Sequence, residues 1–455
     1  MLNLKSASPA RRIAISFLFV ILIGTILLSL PLSNRDNLFY SPLDALFTAT
    51  SATCVTGLVT SVTMEQFNYF GQLVIIIMMQ IGGLGLMTMV ATFLMVLRSR
   101  LSLYDKIAIK EMMNQANIIS FKKFLIGIIS YTFFLEGIGA LLLAIVFVPQ
   151  YNFFEGVFKA IFISVSAFCN AGFDNLSNAS LLPYQSNILV CIVVMVLIIT
   201  GGLGFVVWFD VREKVASLIQ NKISVRQFLS SLTTHTKIVL IATISLIFIP
   251  AIMIFFMEYN NEATLGALSF PDKIVNSLFT SVTLRTAGFA TIPMDACYTS
   301  THLLMMICMF VGGSPGGTAG GIKTTTIAVI LICVFRSMKG KAHTNVFHRH
   351  ISRDTIVNAT TIMAINLVVL FIGIFILSIT EKFSFVEICY EATSALATVG
   401  LSLGITPYLS VGGKLIIILL MYVGRIGIMT FFMSIVREDT RSNNIHYAEG
   451  HIMIG

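Results

Sequence analysis

Ser394-Ala395-Leu396-Ala397-Thr398-Val399-Gly400 is a short, mostly apolar stretch that ends on a glycine, and the chain carries it in four related forms. The others are Ser51-Ala52-Thr53-Cys54-Val55-Thr56-Gly57, Ser166-Ala167-Phe168-Cys169-Asn170-Ala171-Gly172 and Ser281-Val282-Thr283-Leu284-Arg285-Thr286-Ala287-Gly288. The closing glycines lie 115, 116 and 112 residues apart, and four such periods nearly fill the 455-residue chain. A second glycine keeps step with the first. Gly82, Gly201, Gly312 and Gly424 follow at offsets of 25, 29, 24 and 24 residues. Helix-packing glycines alone would explain the second set, but not its steady distance from the first. Internal repetition therefore organises this chain.

Composition places the repeats in lipid. The sequence is 56% hydrophobic and only 11% charged, against about 25% charged in soluble domains. That argues against a cytosolic enzyme, a secreted disulfide scaffold and a disordered chain. A helix needs about 20 apolar residues to cross the hydrocarbon core. Eight stretches qualify: 13–30, 72–97, 124–148, 187–209, 238–257, 302–335, 355–380 and 413–436. The first reads as a retained helix rather than a signal peptide, because no clear small-x-small cleavage site follows it.

Alternation of loops then sorts the charge. With the N-terminus on one side, 21 Lys and Arg fall on that side and 5 on the other. By the positive-inside rule both termini are cytoplasmic in a plasma membrane. The formal charge of +8 thus implies topology and contact with anionic membrane lipid, not nucleic acid. The seven cysteines include no C-x-x-C pair and read as free thiols.

Each repeat reads as span, re-entrant segment, span. The fold class is an all-α polytopic membrane protein with four span–pore-loop–span repeats, pseudo-fourfold around a central pore. The repeats are 1–97, 98–209, 210–335 and 336–436, with pore loops at 41–57, 154–172, 271–288 and 384–400, and a tail at 437–455. Ser41-Pro42-Leu43-Asp44 and Ser384-Phe385-Val386-Glu387 carry helix-start signals for the first and fourth pore segments. A half-helix entering the membrane turns its carbonyl end, with partial negative charge, toward the middle. Four such ends form a ring of carbonyls able to take a dehydrated alkali cation.

These motifs resemble the superfamily of Trk, Ktr and plant HKT K⁺ transporters, and the likeness covers essentially the whole chain. In that family four span–pore–span units build a K⁺-channel-like pore whose filter segments each keep one glycine. The resemblance assigns the filter to Val55, Thr56 and Gly57; Asn170, Ala171 and Gly172; Thr286, Ala287 and Gly288; and Thr398, Val399 and Gly400. Only the last retains Thr-Val-Gly. Glycine at all four positions accompanies K⁺ selectivity in the family, whereas serine at the first accompanies Na⁺ permeation. The short chain without extra leading spans points to the Ktr branch. That branch implies a homodimer seated on a separate cytosolic ring of nucleotide-binding regulatory subunits of the KtrA or KtrC kind, with Na⁺ as a possible activator.

The span at 302–335 is interrupted by Gly312, Gly313, Ser314, Pro315, Gly316, Gly317, Thr318, Ala319, Gly320 and Gly321, followed by Lys323. Six glycines and a proline in ten residues do not sustain a helix. The stretch reads as a flexible intramembrane loop plugging the pore, with a packing kink as the plainer alternative. The resemblance supports the plug, since the family's third-repeat loop is its gate. The P-loop pattern is not met, because Ile322 separates Gly321 from Lys323.

Arg425 sits mid-span, where an unpaired charge is costly. It occupies the place of the family's intramembrane arginine. It reads as a positive barrier bonded to loop carbonyls, or as one half of an ion pair with Glu136. Glu136 itself reads as a partner of a polar group across helices rather than a relay. Arg285, at the base of the third filter segment, reads as bracing its pore helix. Two other function classes compete with a K⁺ conduit. A secondary transporter for another cation or solute would show two inverted repeats rather than four tandem ones. An intramembrane enzyme would need a catalytic constellation that no span contains.

Overall fold

The computed structural model describes residues 9–85, 121–220, 224–340 and 344–435. The far half of the stretch at 72–97, the segment 98–120 and the tail at 437–455 lie outside the described residues. So does the cytoplasmic placement of the two termini.

Among the described residues, four long apolar helices are each able to cross a bilayer unaided. They are α1 (Pro9–Ser29), α4 (Phe121–Gln150), α8 (Thr234–Glu258) and α12 (Arg353–Thr380). Each is followed by a shorter helix that is buried rather than lipid-facing: α2 (Pro42–Thr53), α5 (Phe153–Cys169), α9 (Phe270–Thr283) and α13 (Phe385–Ala397). Their starts differ in chemistry. Ser384 and Glu387 form a reciprocal capping box on α13, with Glu387 Oε2 accepting from the Ser384 amide at 2.8 Å. Ser41 makes no side-chain cap, and α2 begins instead on Pro42 at its first turn.

The molecule is built inside out relative to a soluble domain. Phe47, Phe162, Phe168, Phe279 and Tyr390 are fully buried on the short helices, while Phe19, Ile145, Phe256 and Phe375 on the long ones are exposed. Polar side chains inside the short helices turn back on their own backbone. Thr50, Ser277, Thr280 and Thr393 each donate to the carbonyl four residues earlier, at 2.7–2.8 Å. That satisfies a buried hydroxyl without an external partner.

Third in each repeat comes α3 (Tyr69–Leu84), α6 (Ile188–Gly202), α10 (Thr299–Phe310) or α14 (Val411–Ile426). These pack in rotation: α3 against α5, α6 against α9, α10 against α13 and α14 against α2. Every one therefore touches the short helix of the next repeat, and the fourth returns to the first, closing the four units around an axis.

The third repeat breaks where its glycines predict, but α6 and α14 differ from the uninterrupted spans that their apolar runs suggest. At 15 residues α6 covers about 22 Å, short of the roughly 30 Å core. It is followed by α7 (Phe205–Ile219) at an angle of 100°, and α14 by α15 (Ile428–Ile435) at the same angle. The cause is one glycine in a conformation that side chains avoid. Gly85 has φ 81° and ψ 128°, Gly204 φ 88° and ψ 136°, and Gly427 φ 89° and ψ 132°. Each lies three residues beyond its repeat's second marker glycine. The third repeat has Pro315 at that position, and there the chain leaves α10 as a loop and re-enters as α11 (Thr324–Met338).

Candidate functional site

The four glycine-terminated segments meet at the axis. A side chain on Gly57 would lie 2.6 Å from the Ala171 carbonyl oxygen, and one on Gly172 would lie 2.8 Å from that of Ala287. One on Gly288 would lie 2.6 Å from the Val399 oxygen, and one on Gly400 would strike the Thr56 oxygen. The contacts run from repeat one to two, three, four and back to one. Eight of the twelve residues assigned to the filter, the glycines and the residues before them, thus make one closed ring of backbone contacts.

The local conformation repeats as well. Val55, Asn170, Thr286 and Thr398, each two residues before its glycine, have φ between 53° and 62°. A left-handed backbone at a β-branched residue costs about 1–3 kcal/mol, so the surroundings must hold it. Backbone bonds do so in three repeats: the amides of Thr56, Ala171 and Val399 donate to Ser51, Ser166 and Ser394 oxygens at 2.8 Å. The same serines add a side chain in two of them, with Ser51 Oγ accepting from the Gly57 amide at 3.0 Å and Ser394 Oγ from the Gly400 amide at 3.1 Å. Sequence reasoning missed these serines, although their place six residues before the glycine was a usable signal. The third repeat carries one extra residue, and Ala287 bonds instead to Thr283 at 3.0 Å.

Three of the second glycines are placed by close backbone contacts beside this ring, while Gly312 faces the Gly320 carbonyl of its own loop. A side chain on Gly82, Gly201 or Gly424 would strike the carbonyl of Thr53, Phe168 or Leu396 respectively. Those carbonyls sit at the ends of α2, α5 and α13, four residues before the filter glycines. The glycine lets the inner helix touch the pore-helix terminus.

Gly312–Gly321 forms a tight excursion tied at its base, where the Gly312 amide donates to Ile322 at 2.9 Å and the Thr324 amide to Gly313 at 3.0 Å. Its amides fill the orphan carbonyls that the break in α6 leaves open. Ser314 donates to Gly202 at 3.0 Å and Thr318 to Gly201 at 3.1 Å, while the Gly316 oxygen accepts from the Phe205 amide at 3.0 Å. The Thr318 hydroxyl reaches the Phe168 oxygen at 3.0 Å and Asn170 Oδ1 at 3.3 Å. On the other flank Gly320 abuts the Thr398 side chain. The loop therefore bridges the second and fourth filter segments, which face each other across the ring.

Arg425 closes the arrangement. Its guanidinium donates to the carbonyls of Thr318, Gly82 and Gly83. Gly82 and Gly83 are at the carbonyl end of α3, where a cation is favoured. Glu136 is not its partner, contrary to the ion-pair alternative. Gln80 donates to Glu136 at 2.6 Å, and the Glu136 backbone oxygen accepts from Ser164 at 2.7 Å. Lys323 donates to the Ala319 oxygen at 2.7 Å. Arg285 is 3% exposed, with a 3.4 Å bond to Thr243 Oγ1, and its own carbonyl accepts from Asn170 at 3.2 Å.

A four-unit membrane fold closed on a ring of backbone, with a tethered loop bridging two of its segments, defines a class of pore-type transport protein. Residues 3–445 match the family model TrkH, described as cation transport protein, and the chain belongs to that family. It is 40% identical to the Ktr system potassium uptake protein B of Bacillus subtilis over 98% of this chain and 97% of the relative. It is 39% identical to the potassium/sodium uptake protein NtpJ of Enterococcus hirae over 99% of this chain and 98% of that one. The crystal structure of the potassium transporter TrkH from Vibrio parahaemolyticus has the same fold, with a TM-score of 0.72 and 19% identity over 93% of this chain and 85% of the other.

Proposed function

We propose that this chain is the ion-translocating subunit of a potassium uptake system of the Ktr type. The observation that carries the reading is the closed ring of Gly57, Gly172, Gly288 and Gly400, where each glycine faces the next repeat's carbonyl. Oxygens of the residues before these glycines are the ligands for a dehydrated K⁺. The 312–321 loop, Lys323 and Arg425 form the gate: the loop obstructs the path, and the two cations repel an ion there. Full-length similarity to Ktr and NtpJ proteins supports K⁺ as the cargo and an involvement of Na⁺, which this reading assigns to activation. In this reading the protein is a homodimer in the plasma membrane with both termini cytoplasmic, opened by a cytosolic nucleotide-binding subunit ring.

Radiolabelled rubidium uptake into liposomes holding the purified protein tests the reading. Uptake is expected to be competed by K⁺ far better than by Na⁺. Absence of K⁺-competable uptake, with and without the regulatory subunit, would refute it.

A further inference from the structure

One cavity has no part in the ring or the loop, yet shares a wall with the loop. It lies between α8 and α11 and has a volume of about 450 Å³, within the roughly 300–1,000 Å³ of ordinary ligand cavities. Its walls are aliphatic and aromatic, with Ile241, Leu246, Ala328, Leu331 and Phe335 prominent, and with Ser245 and Thr324 as the hydroxyl-bearing residues. Thr324 Oγ1 is already engaged with Ser314 at 3.1 Å. Such a chamber offers a ligand dispersion contacts and almost no hydrogen bonds. It opens on the lipid-facing side, because Ile241, Leu331 and Phe335 are 55%, 51% and 61% exposed.

The cavity's cytoplasmic end has a different character. There it is closed by Val346 and Phe347, from the hairpin of β1 (Asn345–Val346) and β2 (Arg349–His350). Phe347 and His348 form its turn with φ of 46° and 63°, a conformation that usually selects Asn-Gly. Three basic residues belong to the segments that meet at this end. Lys237, next to the wall residue Ile238, holds its Nζ 5.8 Å from the Phe347 ring centre. Arg336, next to Phe335, donates to the Asn345 oxygen at 2.7 Å. Arg349 pairs with Val346 across the hairpin. The nearby carboxylate, Asp210, is committed to Thr233 and Thr236 at 2.6–3.0 Å.

An apolar slot at bilayer depth with a cationic mouth at the cytoplasmic surface has the polarity of an anionic phospholipid, acyl chain inward and headgroup at the rim. We infer that this cavity is a binding site for one acyl chain of an anionic phospholipid, with Lys237, Arg336 and Arg349 at its headgroup. A chain there packs against Val311 and Thr324, the two anchors from which the 312–321 loop departs. The inference rests on the membrane placement and not on which ion is carried.

Photolabelling tests it without reference to transport. The full chain is reconstituted in phosphatidylcholine with trace phosphatidylglycerol bearing a photoactivatable group at the end of one acyl chain. Adducts are expected on 238–246 and 327–335, lost on competition by excess phosphatidylglycerol and not by phosphatidylcholine. Ala328→Trp and Ala242→Trp, made separately, should each cut those adducts at least tenfold and spare adducts on α1 and α12. Lys237→Gln with Arg336→Gln should lower the preference for phosphatidylglycerol over a phosphatidylcholine probe at least threefold. Adducts spread evenly over α1, α4, α8 and α12, or unmoved by both tryptophans, would overturn the site. Equal labelling by the two probes would overturn its anionic character. Labelling that appears only after removal of 437–455 would assign the cavity to the chain's own tail instead.

Discussion

Removing the Arg425 side chain should open the pore in the absence of any regulatory partner. Of its three acceptors, Gly82 and Gly83 are on α3 and Thr318 is on the loop. The guanidinium is therefore a strap between the first repeat and the plug. A hydrogen bond with a charged donor contributes about 1.5–3 kcal/mol. In Arg425→Ala the closed loop loses that bond, while an opened loop, with Thr318 hydrated, loses nothing comparable. At 1.4 kcal/mol per decade, the closed-to-open ratio should fall about 10- to 150-fold. Basal rubidium uptake into liposomes should rise in proportion until the open state dominates. Thr318→Val gives an internal scale. It removes one neutral bond, whose single hydroxyl proton is shared between the Phe168 oxygen at 3.0 Å and Asn170 Oδ1 at 3.3 Å; at about 0.5–1.5 kcal/mol, uptake should rise about 2- to 12-fold. Wild-type basal uptake in well-folded Arg425→Ala would refute the strap, and so would a Thr318→Val that leaks more than Arg425→Ala.

Deletion within 313–320 should raise basal uptake at least as much as Arg425→Ala, and lower flux in a stable deletion would count against a plug. Gly57→Ser places an atom 2.6 Å from the Ala171 oxygen, so uptake should fall roughly tenfold or more and K⁺ preference over Na⁺ should narrow in competition assays. Glu136→Gln keeps an acceptor for Gln80 and should leave uptake and its pH profile unchanged with a shift in melting temperature under about 3 °C, whereas a proton relay would lose activity. Asp174, two residues beyond the ring glycine Gly172, is raised by desolvation from the usual carboxylate range to about 6. The folded form thus binds this proton more tightly than the unfolded chain does, so its contribution is full below about pH 4 and lost as pH rises through 6. Asp174→Asn should accordingly raise the melting temperature at pH 8 and have little effect at pH 4; the same shift at both pH values would contradict that account.

The period was legible because each glycine set answers to a backbone contact, the first to the next repeat's carbonyls and the second to the terminus of a short buried helix. Any residue with a side chain at Gly82, Gly201 or Gly424 meets a carbonyl there, so sequence preserves the spacing. The bends at Gly204 and Gly427 were not legible by hydropathy. Apolar residues continue through them, and a glycine in an apolar run reads equally well as helix packing. The missed signal was a third glycine at a constant offset of three, present as Gly85, Gly204 and Gly427 and replaced by Pro315 in the repeat that forms a loop.

Arg425 meets the loop carbonyl that the sequence reading gave it, at Thr318, while the alternative ion pair with Glu136 shows the limit of reading charge alone. Acids are visible in a sequence, and Glu136 was the one available at depth, whereas backbone carbonyls are present at every residue and signal nothing. What makes carbonyls special here is the break of the inner helices, which leaves their last oxygens without intrahelical donors. The register supplies the rest. Arg425 follows its marker glycine directly, the position held by Gly83, Gly202 and Gly313 in the other repeats. Those three positions are in mutual reach of the loop and the guanidinium: the Gly83 oxygen accepts from Arg425 at 3.2 Å, the Gly202 oxygen from Ser314 and the Gly313 oxygen from Thr324, both at 3.0 Å. The first and second units present acceptors to the space beside the loop. The fourth fills that space with a fixed cation, and the third threads its loop between them. In the proposed function the fourfold repeat builds the passage, and its two departures from symmetry, Arg425 and the 312–321 loop, are the parts assigned to closing it.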